Sequence, residues 1–446
     1  MKSIKLLSVL LILALVGCRS TTSKRPTTKP TTKPAAAEPA LTSEQRQLEL
    51  ESFDKVWTTI RDRHFDPKYN GVDWDAARAE LRPRVENANT ASEARAAIHE
   101  LLERLKQTHF GIIPQSAYKE LDVGSQSNGS SGIDIRVIDG HALVTKVEEN
   151  SGGAKVGVKP GWELVAIKDK PAAEAIAKIE KAFDDSTLKD LMLSRAFVGQ
   201  LRGDIGSTVQ ATFIDEKNQK RTLDIPMQEP TGEPVKFLQL PTMYLHYDAR
   251  VLPNTDVGYI YISTFFGPDL VTRFGKSLEG FKDTTSGLVI DLRGNPGGVG
   301  GMAMGIGNLL TQRTDQKLGT LKMRKQTFNF VLNPQSLTYT KPVAILVDGC
   351  SGSTSEIMAQ GLRDIDRARV FGAPTAGAAL PSVIEKLPNG DGFQYAIANY
   401  ISYGGDVLEG KGVQPDEVVQ HSRDALLKGR DLQLEAAVKW IGTQQK

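Results

Sequence analysis

The chain has 446 residues but only two cysteines and six histidines. Cys18 lies in an N-terminal leader, so Cys350 is the remaining thiol and no intramolecular disulfide is expected. The histidines lack the spacing of metal ligands, so the sequence predicts neither a metal site nor a cofactor. Lysine and arginine number 55 against 53 aspartates and glutamates, and the resulting net charge of +2 argues against a nucleic-acid partner.

The apolar run Leu6–Leu15 is shorter than the roughly 20 residues that a membrane span needs, and a basic start precedes it, so it predicts an export signal. The Leu-Val-Gly-Cys sequence that follows resembles a bacterial lipobox. This resemblance implies a signal peptide of residues 1–18, cleavage before Cys18 and lipidation of its thiol. Arg19, in place of an aspartate, resembles outer-membrane sorting, so we expect a lipid-anchored envelope protein facing the periplasm. The alternative is an ordinary signal peptide with an incidental cysteine.

Residues 19–41 are rich in threonine, lysine, proline and alanine, which predicts an extended linker without a core. Residues 42–122 follow as a small helical domain. Thr42 and Gln45 have the spacing of a capping box, and apolar residues recur behind them at helical intervals. The last helical pattern of this domain ends next to His109.

Residues 131–228 resemble a PDZ domain, a module that binds chain ends by adding them to a sheet edge. Short strands surround a short helix and a Lys-Pro-Gly turn, and the glycine- and serine-rich stretch Gly124–Ser131 is interpreted as a linker in front of them. By this resemblance, the peptide-binding strand would contain Gly132, Ile133 and Ile135. The alternative is an ordinary strand of a small β domain.

Residues 247–446 alternate short apolar runs with helical stretches, which is typical of a sheet covered by helices. The fold class is therefore α/β within a multi-domain α+β chain. Four runs are the expected strands: Val257–Ile262, Gly287–Leu292, Pro342–Val347 and Arg369–Gly372. Functional residues should lie at the carboxyl ends of these strands.

The most informative turn follows the third of these runs and reads Asp-Gly-Cys-Ser-Gly-Ser-Thr-Ser-Glu from Asp348 to Glu356. A helix is expected to begin at Thr354, so Ser353 would stand where unpaired backbone N–H groups gather. That position suits the nucleophile of an acyl-transfer enzyme. Ser353 and Glu356 also have the spacing of a capping box, which would satisfy N–H groups without any chemistry.

A second turn, Asp-Leu-Arg-Gly-Asn-Pro-Gly-Gly, follows the run that starts at Gly287. Together with the serine turn and the PDZ-like domain in front, it resembles the C-terminal-processing (tail-specific) serine peptidases. The resemblance implies a crotonase/ClpP-like catalytic domain, protein or peptide substrates, and Ser353 as the nucleophile. It also implies an oxyanion hole made by the backbone around Gly297 and Gly298 and by the N–H group of Thr354.

One departure from that family concerns the base. Many members carry a lysine after the serine, but Ala378 stands at the matching position. The tricorn-core-type branch instead uses a histidine that follows a hydroxyl residue, plus a late glutamate. Thr108, His109 and Glu409 match that pattern, so the resemblance implies a Ser-His-Glu site in which His109 is the base.

The sequence therefore predicts a lipid-anchored serine endopeptidase that cleaves envelope proteins or peptides, with the PDZ-like domain recognising chain ends. Because the usual lysine is missing at Ala378, a catalytically silent peptide-binding lipoprotein is the alternative. Acylation of Ser353 by a fluorophosphonate would distinguish the two.

Overall fold

The computed structural model describes residues 38–120, 128–237, 240 and 242–444. Cys18, the predicted signal peptide and most of the predicted linker lie outside this part of the chain. Within the described residues, no helix is both long and apolar enough to cross a membrane. The same residues contain no group of three or more histidine, cysteine, aspartate or glutamate side chains arranged to hold a metal ion.

The N-terminal unit is helical. Its elements are α1 (Ser43–Arg63), α2 (Trp74–Glu86), α3 (Ala91–Glu103), β1 (Gly111–Ile113) and α4 (Gln115–Glu120). The predicted capping box starts α1, since the Gln45 N–H donates to Thr42 Oγ1 and the Thr42 N–H donates to Gln45 Oε1. Apolar side chains of the first three helices, such as Phe53 and Leu101, are fully buried in one core.

The second unit is a β domain with two longer helices. Its elements are β2 (Gly129–Ser130), β3 (Ile133–Ile138), β4 (His141–Val147), α5 (Gly152–Lys155), β5 (Glu163–Ile167), β6 (Lys170–Pro171), α6 (Ala172–Ala182), α7 (Lys189–Gln200), β7 (Arg202–Gly203), β8 (Thr208–Ile214) and β9 (Lys220–Pro226). The main sheet has the order β3-β4-β5-β8-β9, so β3 is an edge strand, and β6 pairs with β5.

The prediction that Gly124–Ser131 is a linker is wrong for the last part of this stretch. Gly129 and Ser130 form β2, which pairs antiparallel with β7, while residues 121–127 lie outside the described residues. A side chain at Gly129 would come within 2.6 Å of the Gly203 carbonyl oxygen. Glycine therefore serves here for close strand approach rather than for flexibility.

The third unit has α/β architecture. After the hairpin β10 (Glu233–Val235) and β11 (Met243–Leu245), its elements are β12 (Tyr247–Val251), β13 (Val257–Ile262), α8 (Leu270–Phe281), β14 (Gly287–Asp291), α9 (Gly300–Asn308), β15 (Lys317–Met323), β16 (Thr327–Val331), β17 (Val343–Val347), α10 (Thr354–Asp364), β18 (Arg369–Gly372), β19 (Ser382–Lys386), β20 (Gly392–Ala396), β21 (Ala398–Ser402), β22 (Glu417–Val418), α11 (Arg423–Leu427) and α12 (Leu432–Thr443).

The central sheet of this unit has the order β12-β13-β14-β17-β18-β22. All of its neighbouring pairs are parallel except the first. Apolar residues of α8, α9 and α10 cover one face and those of α12 the other. The predicted α/β fold class and the four expected strands are confirmed, apart from single residues at their ends.

The helical and α/β units share a core. Phe393 and Tyr395 of β20 pack among the buried side chains of the first three helices, and β1 pairs antiparallel with β20. Thr108 and His109 lie between α3 and β1. This shared packing therefore fixes the end of the helical unit against the α/β unit.

Candidate active site

Two turns meet at the carboxyl ends of the neighbouring parallel strands β14 and β17. We call them the glycine turn (residues 292–299) and the serine turn (residues 348–353). The Asp348 Oδ1 accepts the Gly294 N–H at 2.8 Å, and the Asn295 carbonyl oxygen accepts the Gly352 N–H at 3.0 Å. These hydrogen bonds connect the two turns directly. They lie at the carboxyl ends of the parallel strands, where functional residues of α/β sheets are usually found.

Ser353 is fully buried and has a φ of 62° and a ψ of −116°. Such a left-handed conformation is costly for a residue other than glycine and is typical of functional sites. The Ser353 N–H donates to Glu356 Oε2 at 2.8 Å. The Ser353 hydroxyl, in contrast, has no hydrogen-bond partner among the described residues. Only the Glu356 half of the capping box therefore forms, and the hydroxyl is left for other chemistry.

Gly297 approaches Ser353 closely. A Cβ atom at Gly297 would lie 2.6 Å from the Ser353 Cβ, and its φ of +103° also favours glycine. The Gly297 N–H donates to Asn295 Oδ1 at 2.8 Å, so it is already engaged. In the described part of the chain, the N–H groups of Gly298 and Thr354 have no acceptor, and the Thr354 Oγ1 donates to the Gly298 carbonyl at 2.9 Å. These two groups are thus better placed than Gly297 to bind an oxyanion.

Thr108, His109 and Glu409 form a hydrogen-bonded chain. Thr108 Oγ1 lies 2.7 Å from His109 Nδ1 and donates to Glu409 Oε2 at 2.9 Å, while the Thr108 N–H donates to Glu409 Oε1 at 2.7 Å. Because the hydroxyl proton goes to Glu409, His109 Nδ1–H donates to the Thr108 oxygen. The other ring nitrogen, Nε2, is then unprotonated, and it has no partner among the described residues.

Burial sets the charge of these side chains. It lowers the pKa of His109 to about 3, with a smaller contribution from the cation of Arg195. It raises the pKa of Glu409 to about 7, against the lowering effect of its hydrogen bonds. His109 is therefore neutral at pH 7, as a general base must be before it takes up a proton.

Cys350 also carries a nucleophilic side chain close to Ser353, but it is buried, and burial raises the pKa of its thiol to about 12. A thiol in this state does not supply the thiolate that a cysteine nucleophile needs.

Helix α7 of the second unit packs against the site. Leu191 is buried in a cluster with Cys350, Ala376 and Ala378, and the Thr187 hydroxyl, just before α7, donates to the Ala376 carbonyl at 2.8 Å. A cavity of about 990 Å³ remains beside Thr108 and Glu409 and is bordered by the connection between α6 and α7. Helix α7 therefore packs against the serine turn, and the cavity borders Thr108 and Glu409 but not Ser353 or His109.

The predicted peptide-binding residues lie at the start of β3. Both backbone groups of Val144, the partner of Ile135, bond to residues next to β5. The backbone groups of Ile135 therefore point away from β4, to the open edge of the sheet. Gly132 precedes β3 with a φ of +68°, and the side chains of Ile133 and Ile135 are buried in the domain core. The accessible feature of these residues is therefore the open backbone edge of β3, because their side chains are buried.

Arg136 connects this edge to the serine turn. Its guanidinium donates to the Ile135 carbonyl at 3.1 Å through Nη1 and to Asp348 Oδ2 at 2.9 Å through Nε. The Asp348 carboxylate is the same group that holds the two turns together. Arg136 and Asp348 are 212 residues apart, so no local pattern in the sequence indicated this contact.

Comparison with known proteins gives two family matches. Residues 256–419 match the model of peptidase family S41, and residues 49–103 match the tricorn protease C1 domain. The carboxyl-terminal-processing protease of Picosynechococcus sp. is 27% identical over 414 residues, which cover 88% of this chain and 89% of that protein. The chloroplastic carboxyl-terminal-processing peptidase 3 of Arabidopsis thaliana is 24% identical over 377 residues, which cover 81% of this chain and 67% of that protein.

Solved structures agree in fold. The photosystem II D1 C-terminal processing protease superposes with a TM-score of 0.58 at 21% identity, covering 90% of this chain and 98% of that one. Mature CPAF gives a TM-score of 0.63 at 14% identity, with coverages of 91% and 99%. These comparisons confirm the resemblance to C-terminal-processing and tricorn-type peptidases.

Proposed function

Because the chain carries a peptidase family S41 domain at residues 256–419 and is a serine-type peptidase, we propose that it is a lipid-anchored endopeptidase with Ser353 as nucleophile and His109 as base. The carrying observation is the hydrogen-bonded chain His109–Thr108–Glu409. Among the described residues, neither its free end, His109 Nε2, nor the Ser353 hydroxyl has a hydrogen-bond partner. Leaving two buried polar atoms without partners destabilises the folded protein. Such atoms are rare, and a role in binding a substrate or in catalysis explains them. Protein or peptide substrates follow from the family.

In the proposed mechanism, His109 Nε2 takes the proton of the Ser353 hydroxyl as its oxygen attacks the scissile carbonyl carbon. The negative charge that develops on the carbonyl oxygen is stabilised by the N–H groups of Gly298 and Thr354. The protonated His109 then gives its proton to the leaving amine, which leaves an acyl ester on Ser353. Water, activated by the same ring nitrogen, hydrolyses this ester and regenerates the site.

Glu409 and Thr108 hold His109 in the reactive tautomer throughout this cycle. Glu409 accepts from both the N–H and the hydroxyl of Thr108, so Thr108 can only accept from Nδ1. In its ionised form, Glu409 also stabilises the imidazolium that forms during the reaction. The Thr108 hydroxyl thus connects Glu409 to the His109 ring, which Glu409 does not contact directly in this hydrogen-bonded chain.

We propose that β3 captures the chain end of a substrate. An extended peptide added to its open edge would bond to the Ile135 backbone, where the Arg136 guanidinium now lies. The peptide would then run towards the cavity beside Glu409, and α7 must shift to admit it, because Ser353 is fully buried.

If β3 binds the chain end of a substrate, the cleavage rate should depend on the free C-terminal carboxylate of that substrate. A peptide with an apolar C-terminal residue should be cleaved with a kcat/KM at least about tenfold higher than the same peptide amidated at its C-terminus. The measurement is steady-state cleavage followed by mass spectrometry, with the Ser353→Ala protein as a blank. Equal kcat/KM values for the two peptides would rule out recognition of the chain end but would not affect the peptidase assignment.

We propose that the protein is anchored through Cys18 to the outer membrane and faces the periplasm. The lipobox-like segment before Cys18 and the Arg19 that follows it support this proposal. The full chain expressed in a bacterium with two membranes should incorporate labelled palmitate and sediment with the outer membrane, whereas Cys18→Ala should do neither. Palmitate-free wild-type protein in the soluble fraction would contradict the anchor.

A further inference from the structure

Glu356 is a buried carboxylate beside the nucleophile that the proposed mechanism does not use. Its Oε2 accepts the N–H groups of Ser353 at 2.8 Å and Ala378 at 3.0 Å. Its Oε1 accepts the hydroxyl of Thr375 at 2.5 Å and the N–H of Gly377 at 2.8 Å. The side chain is fully buried, so these donors replace all of its contact with water.

The bonds of Glu356 end on a short piece of chain, residues 375–379, which we call the clamp segment. Glu409 binds the same segment from its other end, since Glu409 Oε2 accepts the Ala379 N–H at 3.1 Å. The Gly410 N–H also donates to the Gly377 carbonyl at 2.8 Å. A continuous hydrogen-bonded path therefore joins Ser353, through Glu356 and the clamp segment, to Glu409.

A helix cap alone does not account for these contacts. In a capping box the glutamate accepts the backbone N–H of the N-cap residue, and Glu356 does so with Ser353. Three of its donors, however, belong to the clamp segment, about twenty residues further along the chain. Burial also raises the pKa of Glu356 to about 7. Burying a carboxylate is costly, and a cap at the surface would avoid that cost.

We propose that Glu356 is a positioning residue for the reaction. It holds the Ser353 backbone in its left-handed conformation and fixes the distance between the nucleophile and the loop of Glu409, on which the orientation of His109 depends. The clamp segment is where many relatives carry a lysine base and this chain has Ala378. Here the backbone of that segment and the Thr375 hydroxyl, rather than a lysine side chain, connect the two halves of the site. The inference rests on the proposed function.

Glu356→Gln tests this role, because an amide has one acceptor oxygen and cannot satisfy the four donors. Misplacement of the nucleophile should lower kcat for peptide cleavage by about 10²-fold, while KM stays within about twofold. The rate of Ser353 acylation by a fluorophosphonate should fall in parallel.

Glu93→Gln is the matched control. Glu93 caps α3 far from the site, where its Oε2 accepts the Asn89 N–H at 2.7 Å. Glu93→Gln should leave both rates within about twofold of wild type. If Glu356→Gln also keeps both rates while Ser353→Ala is inactive, the positioning role is refuted. If Ser353→Ala still cleaves, the proposed function fails instead.

A second pair of variants decides the matter if Glu356→Gln does not fold. Thr375→Val removes one donor to Glu356 and the acceptor of the Val413 N–H, and Thr375→Ser restores both. We expect Thr375→Val to lower kcat by about tenfold without a change in KM, and Thr375→Ser to recover at least about half of the wild-type kcat. Equal kcat values for the two variants would overturn the proposal.

Discussion

Replacing Ser353 with alanine should abolish peptide cleavage, with a loss in kcat of about 10⁴-fold or more. The variant lacks the oxygen that forms the acyl ester, and no other nucleophile replaces it, because burial keeps the nearby Cys350 in its thiol form. Stability should change little, since the Ser353 hydroxyl makes no hydrogen bond to any residue that the structure describes. Cleavage of an unfolded model protein by wild type and variant, together with thermal unfolding of both, measures these effects.

Ser286→Ala is the control for this experiment. Ser286 bonds to Asp256 near the surface, at the opposite end of β14 from the glycine turn. Its loss should leave cleavage unchanged. Residual cleavage by Ser353→Ala above about one per cent of the wild-type rate would assign the nucleophile to another group.

Replacing His109 with alanine should lower kcat by about 10⁴-fold or more, because no base remains to take the proton of Ser353. Thr108→Val should cost about 10²-fold or more, since it breaks the link between the ring and Glu409 and no longer fixes the tautomer. Thr108→Ser keeps the hydroxyl and should recover most of the rate. Steady-state cleavage with each variant measures the series.

His141→Ala is the matched control for the histidine. His141 is an exposed residue at the start of β4 and pairs with Glu163 on the surface. The His141→Ala variant should cleave the substrate at the wild-type rate. Wild-type rates in His109→Ala together with an inactive Ser353→Ala would mean that some other group is the base, and Thr108 and Glu409 would lose their proposed role with it.

Local patterns in the sequence predicted the local structure of the site. The strand before Asp348, the helix beginning at Thr354 and the helix caps depend on neighbouring residues, so their signals lie within a few positions of one another. Thr108 and Glu409 are 301 residues apart, and no spacing rule connects them. Only the resemblance to the tricorn-type branch predicted that they belong to one site.

Other features depend on packing that the sequence does not show. The engagement of the Gly297 N–H by Asn295 follows from the exact path of the glycine turn. The pairing of β2 with β7 and the packing of α7 against the serine turn require distant segments to meet. Glu356 had the spacing of a helix cap, and its contacts with the clamp segment become visible only when the third unit is folded.

The most direct test of the Ser353–His109 assignment is the site and rate of fluorophosphonate labelling, read by peptide mass spectrometry on the full-length protein. The account predicts a single phosphonylated residue, Ser353, in wild type, no adduct in Ser353→Ala, and labelling at least about 10²-fold slower in His109→Ala. An adduct on any other residue, or equal labelling rates with and without His109, would contradict it.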